Sequence, residues 1–444
     1  MAMVTGAAAV KSLHPERWQR FLAWWNNPEA DISIQRWFGV AAIIAVIGLF
    51  LRQPLLFLLA VAVALGGLLA RLWWDNCFRN LTFERSFSTP RASWGDEIVM
   101  ELKAVNAKPL PVTRFEVSDE VTTNVEILRQ PLERSERSDR RLMKTVFSLG
   151  MYERVVYRYH VRCTHRGWHR FGPAQVSAID PFGIVVRRKQ IPQSDGFLVY
   201  PRIVPVTDVI VPSRQPYGDF KPAQRVIEDP MRMSGVREYV PSDSPRRIHW
   251  RATARTGTMQ TRVFEPTASP VAAIFLDTIT FSYLWEGQNS DLLELAITVT
   301  ASISRQLLLD RQQVGLFANA PIPGNSRTIH VPPGRRPGQL VRILEALAML
   351  TPAFGDRIER LVVKEMARLP WGAAVVIVTC KVTDSMQRSL LRLSRASGSH
   401  RFVLVVIGEE PELVPELRRR VAVYRLDGEE AWDAIEHITF TRSL

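Results

Sequence analysis

Cysteine is scarce: Cys77, Cys163 and Cys380 are the only three in 444 residues, far apart and without a CxxC pair. A disulfide scaffold or a zinc ribbon is therefore unsupported, and a reducing compartment is the simpler setting. No GxxxxGK[ST] phosphate loop occurs, and no Ser-His-Asp or Cys-His arrangement stands out. Cys380 closes an apolar strand and reads as packing, while His249 beside Trp250 reads as readily structural as catalytic. The chain is therefore not expected to be an enzyme, and no small-molecule substrate is suggested. Aromatic stacking platforms do not recur on neighbouring strands, so nucleic acid is not expected either. Disorder as the main state is excluded by 46% apolar and 23% charged residues.

What is present begins with charge. Lys and Arg number 57 against 44 Asp and Glu, leaving +13, a balance suited to an anionic membrane surface or an acidic protein once nucleic acid is set aside. Two uncharged apolar runs follow near the N-terminus, Trp37 to Leu51 and Pro54 to Ala70, separated by Arg52 and Gln53. As helices each spans about 22 to 26 Å, slightly under a hydrocarbon core of roughly 30 Å, so flanking residues or local thinning must make up the rest. Pro54 suits the first turn of a second helix. Trp37, Trp73 and Trp74 fall where interfacial rings belong. Lys11, Arg17, Arg20 and Arg36 precede the pair and Arg71, Arg79 and Arg85 follow it, whereas the turn carries Arg52 alone. Both ends are accordingly expected in the cytoplasm. Residues His14 to Ala30 suit a short amphipathic helix on the inner leaflet.

From about Asn80 to Pro212 the period shortens to two, as in EIVMELKAV from Glu97, RFEVSDEV from Arg114 and VVYRYHVRC from Val155. Turn signals at Gly167, Gly172 and Asp180 to Gly183 come too close together for βαβ crossovers, so a β-sandwich is expected. The mixed charges of Arg129 to Lys144 read as an exposed edge. His160, His165 and His169 are expected as ordinary surface histidines rather than metal ligands.

Between Arg232 and Arg262 lie seven arginines against Glu238 and Asp243. A guanidinium fork pairs with carboxylates and stacks on aromatics, so Arg237 with Asp243, or Arg247 with Trp250, can knit a loop, and the segment can otherwise meet an acidic partner. Beyond it the periods lengthen. An apolar strand ends at Asp277, a capped helix starts at Ser290, and VGLFAN from Val314, AAVVIVT from Ala373 and FVLVVIG from Phe402 alternate with helices near Gln339, Arg357 and Asp384. This pattern implies an open, mainly parallel sheet covered on both faces, with ligand sites at the strand ends Asp277, Thr278, Thr280, Thr379 and Cys380.

At these motifs the chain resembles the bacterial family called domain of unknown function 58, with the pattern R-x-Y-x-x-G-D-x-x-R-x-I-x-W-x-x-[TS]-A-R. Here it is carried by Arg237, Tyr239, Asp243, Arg246, Ile248, Trp250, Thr253, Ala254 and Arg255, with Ser242 in place of the glycine. Serine there implies modest strain if the position needs a positive φ. Arg247 and Arg251 extend the same basic stretch. The segments RGWHRFGP from Arg166, DPFG from Asp180 and VYPR from Val199 are also similar to the family. The resemblance implies a multi-domain membrane protein: a leader over 1–36, a transmembrane hairpin over 37–72, a β-sandwich-like domain over 80–212, an arginine-rich junction over 213–265, and a C-terminal α/β von Willebrand factor A-like, Rossmann-like domain over 266–444. In metal-binding von Willebrand A-like domains the first strand ends in DxSxS. Asp277 keeps the acid, but Ile279 and Phe281 replace the serines, and Cys380 follows Thr379 where an acid is common. No cofactor is expected, although Thr280 and Ser282 leave a weak, shifted Mg²⁺ site conceivable. The resemblance further implies a non-enzymatic adaptor at the bacterial cytoplasmic membrane, its large domains in the cytoplasm, working with a MoxR-type AAA+ ATPase. A divalent-ion-dependent adhesion module is the alternative, and a hydrolase a more distant one.

Overall fold

The computed structural model describes residues 31–179, 186–207, 228–241, 243–266, 270–281, 287–322, 325–351, 357–370, 372–396, 400–427 and 432–442. The segment His14 to Ala30, the DPFG turn, Ser242 and Ser282 lie outside the described residues. The chain divides into two compact units, Met1–Val199 and Tyr200–Leu444. The division falls there because Tyr200, Ile203, Val204 and Val206 join the core of the second unit.

The first unit opens with α1 (Asp31–Leu51) and α2 (Pro54–Asn76). Arg52, at φ 53°, reverses the chain, and Gln53 N–H donates to Gly48 O at 3.1 Å. The helices run antiparallel and close together. A Cβ on Gly48 would stand 3.0 Å from Leu56 Cβ, and one on Gly67 3.3 Å from Trp37 Cβ, the small-residue contact that lets helix backbones approach. Large apolar side chains cover the outer faces, with Phe50 89% exposed. By length and hydropathy Pro54–Asn76 and Ser290–Leu309 are the described helices able to cross a membrane. The second of these is mostly buried inside its own unit, whereas Pro54–Asn76 is mostly bare.

The end of α2 is held by cations. Lys108 Nζ, itself buried, donates to Cys77 O at 2.6 Å and Arg79 O at 3.0 Å. Arg187 Nη1 donates to Trp74 O at 2.5 Å while its guanidinium lies 5.5 Å from the Trp74 ring and 5.6 Å from Phe78. Positive groups at a helix C-terminus satisfy carbonyls that have no partner within the helix.

Beyond it come β1 (Leu81–Phe87), β2 (Arg91–Ala92), β3 (Glu97–Asn106), β4 (Val112–Thr122), β5 (Glu126–Ile127), β6 (Leu132–Arg134), β7 (Arg140–Leu149), β8 (Arg154–Arg162), β9 (Gly167–Ile179), β10 (Val186–Ile191) and β11 (Asp195–Val199). They form two layers among the described residues, β1-β3-β8-β5 and β2-β11-β9-β4-β7-β6, with β10 on β9. Alternation drives the layering: Ile98, Met100, Leu102 and Ala104 of β3 face one shared core with Phe115 and Val117 of β4. Arg85 of β1 ties the layers together. Its Nη1 donates to Asp119 of β4, and its Nη2 to Asp195 Oδ2 and Phe171 O, each at 3.0 Å. One expectation fails here: His169 is 4% exposed, because its place in the β9 alternation points it inward, and its ring shares a 2.7 Å hydrogen bond with His165 O.

The second unit contains β12 (Val206–Thr207), β13 (Glu228–Glu238), α3 (Trp250–Thr256), β14 (Gln260–Pro266), β15 (Val271–Leu276), α4 (Ser290–Leu309), β16 (Gln313–Ile322), β17 (Asn325–Gly334), α5 (Gln339–Ala348), α6 (Ile358–Met366), β18 (Ala374–Thr379), α7 (Asp384–Ala396), β19 (Arg401–Ile407), α8 (Pro415–Arg420), β20 (Ala422–Leu426), β21 (Ile438–Thr439) and β22 (Thr441–Arg442). The main sheet runs β17-β16-β15-β18-β19-β20-β22, parallel except at its two edges. Helices α4 and α5 cover one face through Ile274 and Leu276, and α6, α7 and α8 cover the other through Ala273 and Phe275. Buried hydroxyls in α4 donate one turn back, as Thr300 does to Ala296 O at 2.7 Å, so its polar residues tolerate burial.

Candidate functional site

Two places collect polar chemistry in the second unit. The first is the ribbon of β13 and β14, paired antiparallel from Glu228↔Pro266 to Glu238↔Gln260, with α3 inserted between its strands. Arg237 Nη2 donates to Asp243 Oδ1 at 2.6 Å, and Val240 N–H donates to Asp243 Oδ2 at 3.2 Å. These two bonds hold the Asp243 carboxyl below the usual carboxylate range, the arginine contact first. Tyr239 OH donates to Asp243 O at 3.4 Å. Ile248 is buried and bridges to Thr261. His249 caps α3, its Nδ1 accepting from Ala252 N–H at 3.0 Å. Thr253 Oγ1 accepts from Gln260 N–H at 3.0 Å, and Gly257 ends the helix at φ 72°.

The motif therefore divides by role. Arg237, Tyr239, Asp243, Ile248 and Thr253 fasten the loop to the ribbon. Arg246, Arg247, Trp250, Arg251 and Arg255 are exposed, Trp250 by 66%. Arg251 and Arg255 are four apart on α3 and so share a face, a like-charge arrangement that costs a few tenths of a kcal/mol in isolation.

The second place is the C-terminal edge of the main sheet. Chain order leaves β15 toward β16 on one side and returns through β18, β19 and β20 on the other, so the direction reverses between β15 and β18, where open α/β sheets form their ligand crevices. Asp277 and Thr379 stand at that point. Asp277 Oδ1 accepts from Asn319 Nδ2 at 2.8 Å and Ile279 N–H at 3.2 Å, and Thr379 Oγ1 lies 3.0 Å from Oδ2. Burial pushes the Asp277 carboxyl up to about 6 against these bonds. Thr278 Oγ1 donates to Asn319 Oδ1 at 2.9 Å. Thr280 Oγ1 accepts from Asn289 N–H at 2.8 Å, fastening the start of α4. The hydroxyls of Thr278 and Thr280 are thus engaged with other groups rather than gathered with Asp277 into an oxygen cage. Among the described residues no cluster of three or more His, Cys, Asp or Glu is placed to hold a metal. Cys380 is buried, with its thiol pushed up to about 12 by burial first and by Asp277 second.

Asn319 escaped the sequence reading. It ends VGLFAN, and only the parallel register Leu276↔Ala318 reveals that it meets Asp277.

Residues 235–423 match the family model described as "Protein of unknown function DUF58". This region is similar to the DUF58 family. The matched region spans the exposed arginine face and the Asp277 centre together. The uncharacterized protein YeaD of Bacillus subtilis (strain 168) is 22% identical over 335 residues, which cover 76% of this chain and 78% of YeaD. Among solved structures, a CARDB domain from Pyrococcus furiosus is 14% identical, covers 27% of this chain and 91% of its own, and gives a TM-score of 0.19. A non-cellulosomal cohesin from Archaeoglobus fulgidus gives 12%, 27%, 91% and 0.18 respectively. Scores this low carry no argument about this chain's fold or activity.

Proposed function

We propose that this chain is a membrane-anchored, non-enzymatic adaptor or assembly factor that binds protein partners, with a MoxR-type AAA+ ATPase among them. The observation that carries the reading is the division of the arginine-rich motif. One set of residues fastens the loop internally, while Arg246, Arg247, Trp250, Arg251 and Arg255 face outward. Trp and Arg are the side chains that most often anchor protein interfaces. In this reading α1 and α2 cross the bacterial cytoplasmic membrane as a hairpin, both ends and both large units lie in the cytoplasm, and the α/β unit is von Willebrand factor A-like. No bound cofactor enters the proposal. The engaged oxygens of Asp277 favour it over divalent-ion adhesion, and the capping role of His249 with the buried Cys380 thiol favours it over hydrolysis.

Crosslinking in native membranes, with ATP and separately with ADP, is expected to recover a MoxR-type ATPase bound to this chain. Repeated recovery of no AAA+ protein in either nucleotide state would contradict the proposal.

A further inference from the structure

The smaller layer of the first unit leaves one strand paired on a single side for most of its length. β8 follows β3 from Glu97↔Arg162 to Val105↔Arg154, but on its other side β5 meets it only at Glu126↔Arg162 and Ile127↔Val161. Leu128 N–H then donates to His160 O at 2.9 Å, on the side away from β3. Peptide groups along an antiparallel strand alternate in direction, so the N–H and C=O of Arg154, Val156 and Arg158 point the same way as His160 O. Among the described residues no strand pairs with them. A bare edge of this kind is a template for another strand.

The two faces of that edge select what fits it. Toward the core, Val155, Tyr157 and Tyr159 stand opposite the buried Ala104, Leu102 and Met100 of β3. Tyr157 stacks on buried Phe147 with ring centroids 4.8 Å apart, yet it is 38% exposed, so the apolar layer runs out to the rim uncapped. On the opposite face Arg154, Val156, Arg158, His160 and Arg162 follow one another without an acid. Arg158 Nε donates to Glu101 Oε1 at 2.7 Å, and Arg162 Nη2 to Glu97 Oε1 at 3.2 Å. Each bond uses one nitrogen and draws the guanidinium toward β3, leaving other donors of the fork in solvent. Arg154 acts on Glu84 only at longer range.

A second copy of β8 is a poor occupant. Antiparallel self-pairing centred on Val156, Tyr157 or Arg158 sets Arg154 against Arg158, His160 or Arg162 of the copy, and like charges directly opposite one another destabilise a sheet. A strand that alternates apolar and acidic side chains suits both faces at once.

We propose that the open edge of β8 binds an extended acidic segment of a partner protein as an added strand. The backbone of the segment pairs with Arg154, Val156 and Arg158, its apolar residues continue the row of Val155, Tyr157 and Tyr159, and its carboxylates lie beside Arg154, Arg158 and Arg162. The site belongs to the first unit and stands independently of the arginine motif in the second.

The test uses the purified full-length chain in detergent micelles with a fluorescent capped peptide, Val-Glu-Val-Glu-Val-Glu-Val, and its lysine counterpart, Val-Lys-Val-Lys-Val-Lys-Val, as control. Anisotropy is expected to show saturable binding of the glutamate peptide alone, and amide hydrogen exchange to slow at Val156 and Arg158 when it binds. Arg154→Glu should weaken binding about fivefold, the upper size of one opposite-charge cross-strand pair, with an unchanged thermal midpoint. Val156→Pro removes a donor that points away from β3 and should abolish the protection of Arg158; if that variant does not fold, Arg154→Glu decides. No saturable binding up to about 1 mM, equal binding of the two peptides, slowed exchange that spares β8, or an Arg154→Glu variant that binds as well as wild type would overturn the proposal. So would a dimeric chain with Val156 and Arg158 already protected before peptide is added, which would give the edge to a second copy.

Discussion

Thr379 Oγ1 stands 3.0 Å from Asp277 Oδ2 and 2.8 Å from the Lys381 carbonyl oxygen, across the ends of neighbouring parallel strands. A hydroxyl carries one proton and cannot donate it to both acceptors. A neutral Asp277 satisfies both contacts: its proton goes to Thr379 Oγ1, and the threonine proton goes to Lys381 O. The burial that lifts this carboxyl to about 6 favours the same arrangement.

A pH dependence of stability follows. The folded value of about 6 lies above the ordinary 3.8, so the folded state binds this proton more tightly than the unfolded chain. The contribution is complete below about pH 4 and is lost as pH rises through about 6, a change on the order of 3 kcal/mol. Asp277→Asn reproduces the neutral shape without titrating. Thermal midpoints of both proteins at about pH 4.5 and 7.5 check it: the wild-type chain should lose stability relative to the variant at the higher pH. Parallel behaviour at both values would contradict the neutral pair.

The Arg85 to Asp119 pair makes a second prediction. Both side chains are almost fully buried, at 3% and 2% exposure. Arg85→Ala strands the Asp119 carboxyl and should cost about 3 to 5 kcal/mol in urea unfolding. Arg85 Nε and Asp119 Oδ1 have no hydrogen-bond partner among the described residues. Arg85→Met with Asp119→Leu should therefore recover much of that loss.

Thiol chemistry supplies a third. Cys77, Cys163 and Cys380 are all buried, and burial pushes the Cys163 and Cys380 thiols up to about 11 and about 12. In the folded chain near neutral pH none should react with an aromatic disulfide reagent, and all should react in denaturant. Prompt reaction of Cys380 before unfolding would reopen the hydrolytic reading.

A fourth concerns the loop behind the arginine face. The Asp243 carboxyl is held low chiefly by Arg237, so its contribution is present above the ordinary carboxylate value and is lost as pH falls through the lower folded one. Asp243→Asn should speed tryptic cleavage at Arg246, Arg247 and Arg251 at neutral pH while leaving the global unfolding midpoint in place. Unchanged cleavage would separate this contact from the ordering of the loop.

Much of the architecture is visible in the residue pattern, for physical reasons. The alternation of EIVMELKAV encodes a strand with one buried face, and the continuous apolar runs at Val271, Ala374 and Phe402 encode strands buried on both. Strand β17 hides because Pro332 and Pro333 argue against a central strand, and it indeed lies at the sheet edge. His169 reads as a surface residue by type, yet packing turns it inward. The two polar centres were only half legible. Asp277 and Thr379 stand out at strand ends, but Asn319 and the Arg85 to Asp119 pair join residues 42 and 34 positions apart, and no local period encodes such a meeting.

The outward face of the arginine motif is where a partner would touch this chain. A photoreactive amino acid placed at Trp250 in the full-length chain, irradiated in native membranes with ATP and with ADP, measures what touches it. The predicted result is an adduct with a MoxR-type AAA+ ATPase that is lost when Arg246, Arg251 and Arg255 are changed to Glu. No AAA+ adduct in either nucleotide, or one indifferent to those arginines, would contradict the adaptor reading.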